Sequence, residues 1–234
     1  MATMYQYTLS YADVTGRATL NGFPVAVFDT EASGVASGPL NHLLVAGDNT
    51  LRVEVSRRGP DGSVGGKVAA VEGGSMVDTS AENEFSLPAG AAPVEAEYLF
   101  SSEMNALGDL LETLQPIDVA AAATFAVKLR DVIRAGDAGA IAALFRPKFQ
   151  HLAAAMGVPA EAIEPELEGI AAAFGGADLG FGAEDLTLEP CCNGKLVPLI
   201  RGDGTQAIRL VTEDGSTEID AAVGMTPEGP ALVI

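Results

Sequence analysis

The stretch PLNHLLVAGDNTLRVEVS, residues 39–56, sets the pattern for the first part of the chain. It ends in an alternation in which Leu51, Val53 and Val55 lie on one side and polar residues on the other. A period of two is typical of a half-buried β-strand. The triplet GDN at 47–49 has residues that tolerate turn conformations. This stretch therefore predicts a turn that leads into a strand with one buried face.

Short strands and turns continue on both sides of this stretch. Residues 5–11 and 14–20 alternate between apolar and polar side chains, and the Asn-Gly pair at 21–22 predicts a β-hairpin after them. The Gly-rich residues 57–66 predict a polar turn. Repeated short strands with such turns predict an all-β antiparallel sandwich over residues 1–101.

The sequence LNGFPV at 20–25, followed by the stretch quoted above, resembles the galactose-binding-like and lectin-like β-sandwiches that accompany glycoside hydrolases. The resemblance covers about residues 10–56 and implies the fold. It also implies that Asn49 is structural and pins the turn before the strand. Sugars favour aromatic platforms, and the chain has no tryptophan. The tyrosines of the first strand could replace it only if their face were exposed, and a core role for them is favoured: Tyr5, Tyr7 and Tyr11.

The pattern changes at residue 102, after which apolar residues recur at helical spacing as far as residue 175. Asp118 and Asp137 are predicted N-caps, because their side chains can accept hydrogen bonds from the first free N–H groups of a helix. Gly136 and Gly157 are predicted to end helices. Pro147 predicts a break or a kink in the third helix.

The last part of the chain, residues 176–234, returns to strands. Its hairpin-type pairs Asn193-Gly194, Asp203-Gly204 and Asp214-Gly215 are about ten residues apart. They predict an antiparallel meander. Residues 102–234 are therefore predicted to form an α+β domain, in which helices pack on a curved antiparallel sheet.

The sequence IRAGDA at 133–138, followed by ALF at 143–145, resembles the early "xxGDxxxLxxLF" stretch of the NTF2-like (cystatin-like α+β cone) superfamily. The resemblance spans about residues 118–234 and implies a cone that can enclose a cavity. The chain departs from the family because its helices are more numerous. It also lacks the Asp/His pair that the enzymes of the family place in the cone, which argues against catalysis.

Charge and cysteine content exclude several classes of function. The net charge is −19, with no basic stripe to neutralise phosphates, which disfavours binding to nucleic acid or to an anionic membrane surface. No apolar run reaches the roughly 18 residues that span a bilayer, and no signal-peptide pattern is present. The two cysteines, Cys191 and Cys192, form no disulfide framework and in a strand would point to opposite faces. These features predict a cytoplasmic protein.

Few residues are candidates for a binding site. Arg146, Lys148 and His151 could form a cationic patch on the helical layer that receives an anionic ligand. The favoured alternative is a solvated helix face. Glu161, Glu164 and Glu168 share a helix face without an evident counter-charge and are also predicted to be solvated.

No pattern in the sequence indicates a catalytic constellation, a metal site or a cofactor site. The favoured function is a two-domain, non-catalytic binding or assembly protein, with a protein partner, a second copy of the chain or a small molecule as its ligand. Two alternatives stay open. One is a small-molecule carrier or enzyme that uses a cone pocket, and the other is a carbohydrate-binding sandwich.

Overall fold

The computed structural model describes residues 3–28, 33–72, 75–77, 84–87, 92–212 and 215–234. The chain divides into two compact units, Met1–Gly108 and Asp109–Ile234. None of the helices in these described ranges combines the length and the apolar character needed to cross a membrane.

One antiparallel sheet contains the strands described in the first unit. Its two longest strands pair along most of their length, from Leu20 opposite Leu51 to Met4 opposite Val71. The strands are β1 (Met4–Leu20), β2 (Phe23–Phe28), β3 (Gly34–Pro39), β4 (Gly47–Glu72), β5 (Ser75–Val77), β6 (Glu84–Ser86) and β7 (Val94–Ser102). β2 and β3 pair with β1, whereas β5, β6 and β7 pair with β4. The predicted antiparallel, sheet-rich character of this region is confirmed.

β1 and β4 are irregular at the same place, where their register shifts. Asp13 has φ 49° there, and it interrupts the pairing between Ala12 and Val14. Residues 59–62 of β4 form an insertion opposite it. Bulges of this kind bend the strands that carry them. The sequence predicted two short strands over residues 5–11 and 14–20, and a turn over residues 57–66. The chain instead forms two long strands, β1 and β4, and both are bent.

The bend allows the two halves of the sheet to face each other. The Tyr7 hydroxyl, on the first half of β1, donates a 2.7 Å hydrogen bond to the carbonyl of Val25 in β2. β2 pairs with the second half of β1. A straight strand would place that half roughly 35 Å from Tyr7, so the bond requires a folded sheet. The rings of Tyr5 and Phe100, whose centroids are 6.3 Å apart, also join the two halves.

The folded sheet encloses the core of the first unit. Tyr7 is only 8% exposed, and Tyr5 and Tyr11 are half-buried, so the tyrosines of β1 do not present an open aromatic face. The fully buried side chains around them are aliphatic and aromatic: Leu9, Leu20, Phe28, Leu40, Leu44 and Leu51.

Asn49, near the start of β4, is fully buried and its side-chain amide is fully bonded. Its Oδ1 accepts hydrogen bonds from the backbone N–H of Val45 at 2.9 Å and from Nδ2 of Asn21 at 2.8 Å. Its Nδ2 donates to the carbonyls of Val45 at 2.9 Å and Gly47 at 3.0 Å. Residues 47–49 were predicted as a turn, but they begin the strand, and the side chain of Asn49 holds the loop before it.

Asn21 extends this network to the hairpin between β1 and β2. Asn21 and Gly22 have φ of 51° and 84°, and Leu20 pairs with Phe23, which confirms the predicted two-residue hairpin. Nδ2 of Asn21 also donates to the carbonyl of Leu43 at 2.9 Å. The two asparagine side chains therefore link the hairpin to the loop before β4.

Four α-helices follow β7: α1 (Ala106–Thr113), α2 (Val119–Ala135), α3 (Ala138–Met156) and α4 (Ile163–Phe174). The strands after them are β8 (Leu186–Thr187), β9 (Leu196–Pro198), β10 (Ile200–Arg201), β11 (Ile208–Thr212), β12 (Gly215–Ile219), β13 (Ala222–Thr226) and β14 (Gly229–Leu232). Short 3-10 helices occupy residues 41–43, 160–162 and 183–185. The second part of the chain is therefore mixed helix and strand, as predicted.

The helix ends agree with the sequence. The carboxylate of Asp118 accepts hydrogen bonds from the N–H groups of the first turn of α2, and that of Asp137 does the same for α3. Gly136 and Gly157 follow these helices with φ of 72° and 65°. All four predicted caps are confirmed. Of the predicted break or kink at Pro147, the break is wrong, because α3 continues through this residue with buried residues on both sides, and the kink stays a prediction.

The strands of the second unit are shorter than predicted. Among the described residues they form three small sheets: β8 with β10, β11 with β12, and β14-β13-β9 in that order. Proline lacks the N–H that a continuous ladder needs. Pro198 ends β9, and Pro190 lies in a segment without strand pairing. The predicted single meander is thus divided into pieces.

The core of the second unit lies between the helices and the last strands. α3 packs against α4, α2 and β14, and α2 also packs on β13. The buried side chains of this core include Phe125, Leu129, Ile133, Ile141, Phe145, Leu167, Phe174, Phe181 and Leu232.

Candidate functional site

Lys148 lies on the core-facing side of α3. Ile141, Phe145 and Ala155 are buried on the same helix at helical spacing from it. Lys148 itself is 9% exposed. Lysine is one of the residues that are almost never fully buried without a partner. This position therefore calls for a specific explanation.

The Lys148 amine has no hydrogen-bond acceptor in the part of the chain that the structure describes. It is also absent from the polar atoms of that part that are sealed from solvent and unpartnered. The nitrogen thus keeps some contact with solvent, whereas the rest of the side chain is buried. A ligand oxygen that approaches from solvent could therefore reach the amine.

Burial changes the protonation of this amine. The loss of hydration lowers the pKa of Lys148 to about 8, although the negative charge of Asp220 acts in the opposite direction. Asp220 lies between β12 and β13 and is itself exposed. The amine is therefore still mainly protonated at neutral pH, with a minor neutral fraction.

Other cations of the second unit are used to hold the loop after α4. Nη1 of Arg130 donates to the carbonyl of Phe181 at 2.7 Å, and Arg134 pairs with Asp178 at 2.6 Å. Arg201 donates to the carbonyl of Leu179 and lies over the Phe181 ring. These arginines have structural partners, which distinguishes them from Lys148.

Arg146, which the sequence grouped with Lys148, faces α4. Its guanidinium binds both carboxylate oxygens of Glu164, at 2.5 and 3.1 Å. This hydrogen bond holds the pKa of the Glu164 carboxyl below its usual range. The expectation that the Glu161, Glu164 and Glu168 face lacks a counter-charge is therefore wrong for Glu164.

His151 lies one turn after Lys148 on α3 and is half-buried. The structure thus places Lys148 and His151 at neighbouring positions, while Arg146 is engaged elsewhere. Sequence reasoning missed the burial of Lys148 and its relation to Asp220. The spacing of Ile141, Phe145 and Lys148 was the available signal, because it follows the core-facing stripe of the helix.

The arrangement suits an anion better than a metal ion. Within the described ranges, no group of three or more His, Cys, Asp or Glu side chains could hold a metal. An ammonium group on a largely buried side chain, with some contact with solvent, can instead attract a carboxylate or a similar small anion. Comparisons of this chain with protein-family models, with curated proteins and with solved structures found no match.

Proposed function

We propose that the protein is a non-catalytic binding protein built from two domains, and that the second domain binds a small organic anion at Lys148. The observation that carries this proposal is Lys148, a residue only 9% exposed whose amine has no hydrogen-bond acceptor in the described residues. A ligand oxygen would supply the missing acceptor.

The energetics favour this proposal. An ammonium group that leaves water without a close partner destabilises the fold by several kcal/mol, on the order of what a buried ion loses in hydration. An apolar residue at this position of α3 would avoid that cost. A bound anion would offset it, because hydrogen bonds to charged groups are stronger than those between neutral groups.

The surroundings of Lys148 suggest the chemistry of the ligand. Phe145, which precedes Lys148 on the same stripe of α3, is fully buried, so the surroundings of the amine are largely apolar. The lysine ammonium acts as a point charge and does not require a forked acceptor. We therefore expect a small carboxylate with an apolar body.

The net charge of −19 affects how such an anion binds. The whole protein repels it at long range, so affinity must come from short-range contacts. Added salt screens this repulsion. Binding should therefore be maintained or strengthened at higher ionic strength, in contrast to anion binding on a basic surface.

The binding experiment uses octanoate as the probe and octanamide, its neutral analogue, as the ligand control. Isothermal titration calorimetry is carried out on the full wild-type chain and on the variants Lys148→Met and Lys128→Met. Lys128 is exposed on α2 and serves as the matched control. We expect octanoate, but not octanamide, to bind the wild type and Lys128→Met, with affinity at least about tenfold lower in Lys148→Met.

Two results would overturn the proposal. Equal octanoate affinity in Lys148→Met and wild type would remove Lys148 from the site. Turnover of a bound carboxylate or carbonyl compound, lost in Lys148→Met, would replace the binding protein with an enzyme of the second unit.

The two-domain part of the proposal has a separate test. All four tyrosines, Tyr5, Tyr7, Tyr11 and Tyr98, lie before the first helix, and the chain has no tryptophan. Tyrosine fluorescence therefore reports the unfolding of the first unit, whereas helical ellipticity reports the unfolding of the second. Two separate urea transitions are expected for two domains, and coincident transitions in both signals would argue for a single cooperative body.

A further inference from the structure

Cys191 and Cys192 lie in a tight turn. Cys192, Asn193 and Gly194 have φ of 51°, 58° and 75°. The sequence predicted a strand here, in which neighbouring side chains face opposite sides. The left-handed backbone at Cys192 does not keep that alternation, and each thiol shifts the pKa of the other. Such a conformation is uncommon for a residue other than glycine and costs energy.

Contacts on both sides fix this turn. The N–H of Gly194 donates to the carbonyl of Cys191 at 3.0 Å, and the carbonyl of Gly194 accepts from the N–H of Ile117 at 2.9 Å. Nζ of Lys195 donates to the carbonyl of Leu111 in α1 at 2.6 Å. The backbone of the turn is therefore tied to α1 and to the segment before α2.

The interaction between the two thiols shifts their pKa values in opposite directions. The pKa of Cys191 is raised by its interaction with Cys192 and by burial. The pKa of Cys192 is lowered by its interaction with Cys191, although burial acts in the opposite direction. The thiolate is the nucleophilic form of cysteine. Both residues are half-buried, so a small oxidant can reach them.

We propose that Cys191 and Cys192 form a redox-responsive dithiol, which a hydroperoxide oxidises to a disulfide between the two neighbours. The Cys192 thiolate attacks one peroxide oxygen, an S–O bond forms, the O–O bond breaks, and hydroxide or alkoxide leaves. Cys191 then attacks the sulfur of the resulting sulfenic acid. The S–S bond forms, the S–O bond breaks, and the departing oxygen takes the Cys191 proton as water. The two sulfurs lose two electrons and the peroxide gains them.

The product is suited to reversible chemistry. Adjacent Cα atoms are about 3.8 Å apart, below the roughly 4.4–6.8 Å that usual disulfides span. The ring that contains neighbouring cysteines is therefore strained, and strained disulfides are reduced easily. This site is independent of Lys148 and would respond to peroxide whether or not a ligand is bound.

The experiment treats the full chain with graded hydrogen peroxide and records the intact mass and the count of thiols that react with N-ethylmaleimide. The variants Cys191→Ser and Cys192→Ser are treated in parallel, with circular dichroism to verify their folding. In the wild type we expect both thiols to disappear together, with the mass of two hydrogens lost and restored by dithiothreitol. Cys191→Ser should stop at a sulfenic acid that dimedone traps. Cys192→Ser should react at least about tenfold more slowly.

Three results would overturn the proposal. One is independent over-oxidation of each cysteine in the wild type, with oxygen added and no loss of hydrogen. Another is a disulfide that forms only between two chains, seen as a dimer on a non-reducing gel. The third is equal peroxide reactivity of the two serine variants. The wild-type mass alone decides the matter if a variant fails to fold.

Discussion

Asn49 in the first unit and Lys148 in the second are both buried polar side chains, yet their hydrogen bonding differs completely. The Asn49 amide is bonded to Val45, Gly47 and Asn21 through both of its polar atoms. Lys148 has a buried stem and an amine without an acceptor among the described residues. A fully bonded buried group stabilises its own surroundings, whereas one without an acceptor costs stability. The comparison therefore separates a group that serves the fold from one that, as we propose, serves a ligand.

The largest effect is expected at Asn49. Asn49→Ala removes a partner of the Val45 N–H, the carbonyls of Val45 and Gly47, and the Asn21 amide, of which all but the Gly47 carbonyl belong to partly buried residues. Each partly buried group left unbonded costs about 1–3 kcal/mol, so we expect the three to cost at least about 3 kcal/mol together. The urea midpoint of the first unit, followed by tyrosine fluorescence, measures it. Asp48→Ala, at an exposed neighbouring position, is the control and should change little.

A smaller effect should appear as a pH dependence of the free energy of unfolding, caused by Lys148. The pKa of Lys148 is about 8 in the folded protein, whereas a lysine in water has a pKa of 10.5. Between these pH values the unfolded chain therefore binds a proton that the folded chain does not. Stability must then rise with pH over this range. Relative to Lys148→Met, the free energy of unfolding of the wild type should increase by up to about 3 kcal/mol as the pH rises through this range. Urea unfolding of both proteins at several pH values, followed by helical ellipticity, measures the difference.

One result would contradict this pH prediction. A constant difference between wild type and Lys148→Met from pH 8 to 10.5 would mean that the amine keeps its ordinary pKa. Such a result would place the nitrogen in open solvent rather than in a desolvated site.

At pH 7, where both states of the wild type carry the proton, Lys148→Met should stabilise the ligand-free protein by about 1–2 kcal/mol. Methionine fills a similar volume without requiring hydration, and replacing buried charges by apolar groups is often stabilising. Lys128→Met is the matched control and should leave the midpoint of the second unit unchanged. A destabilised Lys148→Met would show that the amine already has a partner within the fold.

The smallest effect is expected at Arg146. Arg146→Gln breaks a bidentate pair with Glu164, but both side chains are largely exposed. Exposed ion pairs contribute little to stability because water and salt screen them. We expect no measurable change in the urea midpoint, and the same octanoate affinity as the wild type. A weaker affinity would return Arg146 to the binding site.

Local signals were predicted well from the sequence. The caps Asp118, Asp137, Gly136 and Gly157 depend on hydrogen bonds and φ values within one helical turn, so the residue type almost decides the outcome. The hairpin at Asn21 is equally local. These features required no knowledge of distant packing.

Features that depend on distant parts of the chain were missed. The glycines at 59 and 62 indicated a turn, but β1 pairs with both flanks and converts the segment into a bulge. Lys148 looked like a solvated residue because lysine usually is one, whereas the packing of α3 buries it. Cys192 looked like a strand residue because the Asn193-Gly194 signal does not reveal that the left-handed backbone begins one residue earlier.

The pairing of β1 with β4 has a consequence for how the protein is made. Leu20 and Leu51 are the pair nearest in sequence and Met4 and Val71 the farthest, so closing the first pair costs the least chain entropy. The remaining pairs between β1 and β4 can then form one after another from that end. On the ribosome, the start of β1 must wait with an unsatisfied edge until residues near 71 emerge. During that interval the nascent chain is most open to pairing with the wrong strand.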